Sequence, residues 1–380
     1  MAREFTDKQK KAWKEQMQER EDQAKEQIHD LARSFRDTPE QIQEFLTFGA
    51  KFYQYSARNT MLIYKQNRGA TYVQSFKNWK DMGHPVKRGE HGINILVPVQ
   101  CTLIKDDGAY IPLREATKEQ KELFKAGKLE SATVLRFKMG TVFDISQTTF
   151  PKEKYPEIYA KGYSSETHEI LYHALTMYAK EKLGAETRIE DLKSIALNGS
   201  YHPIRNEITI NELLEGTNRF STMTHELGHA ILHHSPENRL KLPSQIEYEA
   251  DCMSILLHTH LGLEIPDGRT RHLSTHFQSF IKHKEEMFLQ ENPEISSEEC
   301  AVQVEEVITM SFHDVFQEYQ KTVEELQPYL DEALEKQQEE QLEEECMKSC
   351  MARTRDRSPE HVAEMEKGLS LIHISEPTRP

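Results

Sequence analysis

Apolar residues recur along this chain at two spacings, and the spacing predicts the elements. Intervals of three and four predict helices over residues 8–34, 38–55, 165–183, 273–290 and 301–345. Strand-like runs fall within 70–79, 92–99 and 134–145, and Pro85 to Gly92 ("PVKRGEHG") forms a basic turn. Pro203 to Asn211 alternates like a short exposed strand. Residues 221–234, "STMTHELGHAILHH", place Met223, Leu227, Ala230, Ile231 and Leu232 so as to bury a helix that also carries several polar groups. Ser235 to Asn238 stops that helix. A second opens at Leu242-Pro243-Ser244 with the apolar stripe Ile246, Ala250, Met253 and Leu257. Tyr155 to Tyr163 is the expected linker. The pattern describes an α+β multidomain chain: an N-terminal α+β domain over 1–150 led by a charged helix (1–36), a second domain over 160–268, and an acidic helical extension over 269–368.

The polar groups of the first buried helix have the arrangement of a metal site. His225 and His229 are four apart, so both imidazoles lie on one helix face about 6 Å apart along the axis and can reach one ion. Catalytic zinc takes three protein ligands and a water whose pKa falls to about 7, and Glu226 is placed to use that water as a nucleophile. His233 is too far along the axis to share the ion. The returning helix offers Glu247 and Glu249, which flank its apolar stripe on opposite sides, so periodicity does not choose between them. Asp251 favours Glu247: it lies four residues on, on the same face, where it can hold the second ring nitrogen of a ligand histidine. In a peptidase, a strand at 203–211 on a sheet edge would hold an extended substrate beside the metal by backbone pairing.

A net charge of −15 with 29% charged residues describes an acidic, soluble chain, and no apolar run approaches the length of a membrane span. The hydrophilic N-terminus has no signal-peptide core, and five unpatterned cysteines fit a reducing cytoplasm. The charge is uneven. Residues 51–90 hold eight basic and two acidic residues with seven aromatics, whereas 323–345 hold ten acids against Lys336 alone. Interleaved cations and rings suit single-stranded nucleic acid, where cations follow phosphates and rings stack on bases. The candidates for the backbone are Arg58, Lys65, Lys77, Lys80, Lys87 and Arg88; Tyr55, Tyr72 and Trp79 are candidates for stacking.

Two resemblances sharpen this. Tyr55 to Asn59 ("YSARN"), Gln66 to Thr71, Phe76 to Trp79, Val86 to Glu90 and Phe143 to Thr148 ("FDISQT") occur in the order of the ArdC-type N-terminal single-stranded-DNA-binding domain, which the chain resembles over roughly residues 25–150. That likeness implies a DNA-binding role, adds Asn59 to the candidates, and points to antirestriction proteins of conjugative elements. "HELGHAILH" followed by "EYEAD" resembles the ImmA/IrrE class of zinc metallopeptidases over about 165–265. It implies a zincin-like domain with zinc on His225, His229 and Glu247, a catalytic Glu226, and a regulatory protein such as a repressor as substrate. The alternative is an antirestriction-type DNA-binding protein whose zinc is only structural. Leu369 to Arg379 ("LSLIHISEPTR") resembles the translation of a transposase-type sequencing adapter, so 369–380 is expected to be an artefact and the natural chain to continue beyond 368.

Overall fold

The computed structural model describes residues 7–106, 108–154, 168–193 and 197–355. The expected linker and residues 369–380 lie outside them. The first half begins with a long helix α1 (Asp7–Asp37), followed by α2 (Gln41–Gly49) and α3 (Ala57–Gln66). The helix expected over 38–55 ends early: a short 3-10 turn at Ala50–Phe52 follows α2, and Ser56 caps a new helix that the sequence pattern had not announced. The strand expected within 70–79 shrinks to β1 (Val73–Ser75). There Ser75 accepts the Asn78 N–H at 3.1 Å and starts helix α4 (Phe76–Asp81).

A four-stranded antiparallel sheet follows in the order β1-β4-β2-β3, with β2 (Ile93–Asp106), β3 (Ala109–Pro112) and β4 (Ser131–Asp144); α5 (Lys118–Lys125) lies between β3 and β4. β2 and β4 pair from Ile93↔Val142 to Ile104↔Ser131, a long ribbon whose outer part carries few buried residues. β3 pairs only the far end of β2, from Leu103 to Asp106, so the edge of β2 nearer α3 lacks a neighbouring strand. Two side chains of α3 stand in for one. Asn59 accepts the Leu96 N–H at 2.8 Å and donates to Leu96 O at 2.9 Å; Gln66 does the same for Asn94, both at 2.9 Å.

The second half holds α6 (His168–Leu183), a three-stranded sheet of β5 (Glu186–Glu190), β6 (Gly199–His202) and β7 (Glu207–Asn211), and then α7 (Gly216–Leu232), α8 (Pro243–His260), α9 (Asp267–Glu291) and α10 (Ser297–Arg355). The sheet order is β5-β7-β6. The strand expected at an edge is therefore central: β7 pairs on both sides, and Ile208 and Ile210 are fully buried. The edges are β5 and β6, and β6 joins β7 through a reversal in which Asn206 takes a left-handed φ of 50°.

The last helices are not a solvated extension. Phe35 of α1, Phe45 of α2 and Phe312 of α10 form a triangle of rings with centroids 5.2, 5.5 and 5.3 Å apart. Phe316 lies against Gly49, where a Cβ would come within 2.5 Å of its ring. Glu305 of α10, 1% exposed, accepts Arg33 Nε at 3.0 Å, which keeps its buried charge paired. One continuous core thus runs from α1 through α8 to α10, with Val323, Leu326 and Leu330 buried inside the acidic stretch. Among the described residues no helix is long and apolar enough to cross a membrane.

Candidate metal centre

α7 is buried along most of its length, with Met223 and Leu227 fully enclosed. Its polar face meets α8 closely because of one residue. A Cβ on Gly228 would lie 3.0 Å from Ala250 O and 3.2 Å from Ala250 Cα, so any larger residue would push the two helices apart by a few tenths of an ångström. The approach brings Glu247 over the histidine pair. His225 Nε2 is 3.3 Å from one Glu247 oxygen and His229 Nε2 3.7 Å from the other, and the three residues offer ligand atoms all within 4.8 Å of one another.

Each histidine is tied back through its other ring nitrogen. His225 Nδ1 lies 3.0 Å from Asp251 Oδ1; Asp251 is 0% exposed and also accepts Arg269 Nη1 at 2.6 Å and faces His276 Nδ1 at 3.3 Å. Burial works against the Asp251 charge, yet the bonds from His225 and His276 hold its carboxyl well below the usual range. Arg269 Nη1, a donor, also lies 2.7 Å from His225 Nδ1; with that arginine hydrogen directed to Asp251 and the Nδ1 proton donated to the same ionised carboxylate, Nε2 is left as a lone-pair donor. The second chain runs from His229 Nδ1 to His233 Nδ1 (3.2 Å) and from His233 Nε2 to Glu249 (3.1 Å). With His229 Nδ1–H donating to His233, and His233 Nε2–H donating to Glu249, the tautomers are consistent and His229 Nε2 is free toward Glu247.

Glu249, the other carboxylate open on the sequence, is occupied. It is 0% exposed and accepts Lys241 at 2.9 Å and Gln245 and Ser311 at 2.8 Å each. It lies outside the cluster that gathers on the histidine Nε2 atoms.

The electrostatics ask for positive charge between the three groups. Burial disfavours a charged His225, but Asp251 and Glu247 outweigh it and push its pKa up to about 9; the two histidines hold Glu247 well below the usual carboxylate range. Two imidazole nitrogens, each supported from behind, and one carboxylate fit a divalent metal ion. Glu226, 6% exposed, has its pKa raised by burial. It lines a cleft of about 530 Å³ with Gly199 of β6, Thr222, Arg269, His272 and His276. A Cβ at Gly199 would meet Thr222 at 2.6 Å and Glu226 Cγ at 3.2 Å, so glycine lets the edge strand approach.

Arg269, His272 and His276 of α9 were missed on the sequence because they lie beyond the expected domain end. The i, i+4 spacing of the two histidines, the same as in the metal motif, was the available signal; Arg269 had none. Asp251, His272 and His276 also bring ligand atoms within 4.8 Å of one another, but Arg269 already neutralises Asp251 there.

The expected DNA-binding residues separate into surface and interior. Arg58, Lys77, Lys80 and Arg88 are exposed. Lys65 pairs with Asp30 at 3.6 Å, and Lys87 donates to Ser146 O at 3.0 Å. Trp79 is fully buried, with its indole N–H on Phe143 O at 2.8 Å, so its ring has no face for a base. Tyr72 meets Trp79 edge-on at 5.7 Å. Tyr55 is half-buried, its hydroxyl donates to Val73 O at 2.9 Å, and burial pushes its pKa up to about 12. Asn59 is engaged on β2.

Comparison with known proteins agrees with the two halves. Residues 14–143 match the N-terminal domain of anti-restriction factor ArdC, and residues 180–258 match the IrrE N-terminal-like domain of the M78 peptidase family. A Bacillus anthracis protein, the uncharacterized pXO2-81, is 28% identical over 279 residues, which is 69% of this chain and 47% of that protein. The chain therefore spans about half the length of that relative. Two crystal structures of the antirestriction protein ArdC from plasmid R388, metal-free and Mn(II)-bound, are 15% identical. The comparison covers 73% of this chain and 86% and 85% of theirs, with TM-scores of 0.43 and 0.42.

Proposed function

We propose, taking the chain as an ArdC-type N-terminal domain joined to an IrrE-like domain, that it is a zinc-dependent endopeptidase of the cytoplasm whose N-terminal domain holds single-stranded DNA. Its substrate in this reading is a regulatory protein, such as a repressor, of a mobile element. The observation that supports it most is the convergence of His225 Nε2, His229 Nε2 and the Glu247 carboxylate, with each histidine anchored through Nδ1 and Glu226 in the adjoining cleft.

His225, His229 and Glu247 would hold the ion, and Asp251 and His233 keep both imidazoles in the ligand tautomer. Zinc bound there supplies a Lewis acid and an acidified water. Glu226 is the group placed to take a proton from the attacking water and pass it to the leaving amide nitrogen. The edge strand β6 offers unpaired backbone to an extended peptide, and Gly199 brings that backbone beside Glu226. The DNA-binding part of the reading rests on the ArdC-type domain and on its exposed cations.

The test is Glu226→Gln. It should keep one zinc per chain by elemental analysis and lose cleavage of candidate repressors by about 10²–10⁴-fold, read by mass spectrometry. A Glu226→Gln chain that cleaves at the wild-type rate contradicts the mechanism. Zinc-loaded wild type that cleaves none of the candidate regulatory proteins favours the antirestriction-type reading, with a structural metal in a DNA-binding protein.

A further inference from the structure

The basic, aromatic-rich stretch at 51–90 directs attention to one surface, but folding leaves much of it unable to meet a ligand. Trp79 is interior, Lys65 pairs with Asp30 at 3.6 Å, and Arg68 lies 3.8 Å from Glu44 and 4.9 Å from the centre of the Tyr64 ring. Cations are instead concentrated in a groove between α5 and the β2–β4 ribbon. Lys118, Lys121 and Lys125 fall at i, i+3 and i+7, so they share one face of α5. Arg136 and Lys138, two apart on β4, share one face of the ribbon. All five line one groove of about 1840 Å³, so a helical row of cations and a strand row of cations frame the same space.

Acids border it too. Glu122 is engaged by Lys125 at 3.1 Å and Glu115 by Arg114 at 3.4 Å, and Glu21 of α1 lines the groove as well; Lys121 donates to Arg114 O at 3.4 Å, while Lys118, Arg136 and Lys138 have no ion pair among the described residues. Rings border it as well. Phe124 lines the groove, and Phe137, 55% exposed, alternates onto the face of β4 opposite to Arg136 and Lys138, at the rim the groove shares with an adjoining hollow of about 440 Å³ that contains Arg58. Leu135, 62% exposed, lies two residues before Phe137 on the same face of the strand.

We propose that this groove is the track for single-stranded DNA: Lys118, Lys121, Lys125, Arg136 and Lys138 along the phosphates, and Phe137 against a base where the strand crosses the rim. The proposal rests on the DNA-binding half of the function given above and moves the interface away from residues 51–90. A single strand is the occupant because an exposed ring needs an unstacked base, which a duplex withholds, while the two cation rows supply the sequence-independent attraction.

Fluorescence anisotropy of the full chain on a labelled mixed-sequence oligonucleotide tests it. Each lost phosphate contact on a single strand makes the log–log salt slope shallower by about 0.7. The triple change Lys118→Gln, Lys121→Gln, Lys125→Gln should therefore flatten the slope by about 2 and weaken binding roughly 50-fold at about 0.15 M salt. Phe137→Ala should weaken binding about 5- to 100-fold at an unchanged slope, with Phe137→Trp restoring it. A triple variant that binds like wild type, or wild type that binds duplex as tightly as single strands, overturns the groove. If wild type binds no DNA at all, the underlying reading falls with it, an outcome distinct from a binding wild type with an indifferent triple variant.

Discussion

Replacing Gly228 by alanine sets two opposite effects against each other in one residue. In a helix interior the exchange is worth about 1 kcal/mol of stability, because alanine surrenders less backbone entropy. At the α7–α8 crossing the new Cβ would meet Ala250 O at 3.0 Å, Ala250 Cα at 3.2 Å and Met253 Cβ at 3.3 Å. Two of these are backbone atoms and none is the tip of a flexible side chain, so relief requires the helices to separate. Carbon contacts are most favourable near 3.5–4.0 Å, which puts the separation at about half an ångström. Overpacking of this kind costs about 1–3 kcal/mol, so the balance is a net loss of about 0–2 kcal/mol. The metal site should suffer more than the fold. Glu247 and Asp251 are carried by α8 and act on histidines carried by α7, and ligand distances tolerate only about 0.2 Å. Zinc affinity should fall about 10–100-fold, as when an outer partner of a ligand is lost. Competition titration against a fluorescent chelator, alongside thermal denaturation, reads both effects. A Gly228→Ala chain that melts higher than wild type and binds zinc equally well would refute the crossing argument.

Glu249→Ala strands Lys241 and His233 and should cost roughly 3–5 kcal/mol in a urea titration, while folded molecules still bind one zinc. Glu247→Ala should do the reverse, losing the metal with little change in metal-free stability, since its side chain is 41% exposed; zinc retained by that variant would remove Glu247 from the ligand set. Asp251→Asn should weaken zinc about 10–100-fold, and unchanged affinity would show that His225 needs no anchor. Phe312→Ala opens the aromatic triangle and should cost about 3–5 kcal/mol. Its unfolding should remain one cooperative transition, because the core is continuous; two separate transitions would show that α10 does not join the halves.

The convergence of His225, His229 and Glu247 was legible in the sequence because helix spacing alone stacks His225 on His229, and because Asp251 shares a face with Glu247. What spacing could not supply was the approach of one helix to another. Gly228 sets that approach, and only the packed structure distinguishes it from filler in the motif. Asn59, Trp79 and Asp144 show the converse limit. The ArdC likeness suggested contact with DNA for Asn59 and residue type did so for Trp79, yet Asn59 pairs with a strand edge and Trp79 fills the interior. Asp144, within the "FDISQT" block, accepts Thr71 N at 2.8 Å, Tyr72 N at 3.1 Å and Ser146 N at 3.0 Å. The ordered blocks that carry the ArdC likeness thus largely specify architecture. α3 escaped notice because its apolar residues, Met61, Leu62, Ile63 and Tyr64, are consecutive and buried all round, which leaves no amphipathic period to detect. The burial of α10 escaped for another reason: a charge count over 323–345 hides the apolar stripe running through it.

That stripe has a consequence in time. Tyr319 donates its hydroxyl to Ala50 O across 269 residues of sequence, and Phe312 and Phe316 close a core whose other walls are α1 and α2. A ribosome adds about 5–20 residues per second, so Phe35 and Phe45 wait roughly 15 to 50 seconds for the rings that cover them. Over that interval the nascent chain presents an aromatic face suited to chaperones. Glu249 also lacks Ser311, so the hydrogen-bond chain behind His229 is still one member short.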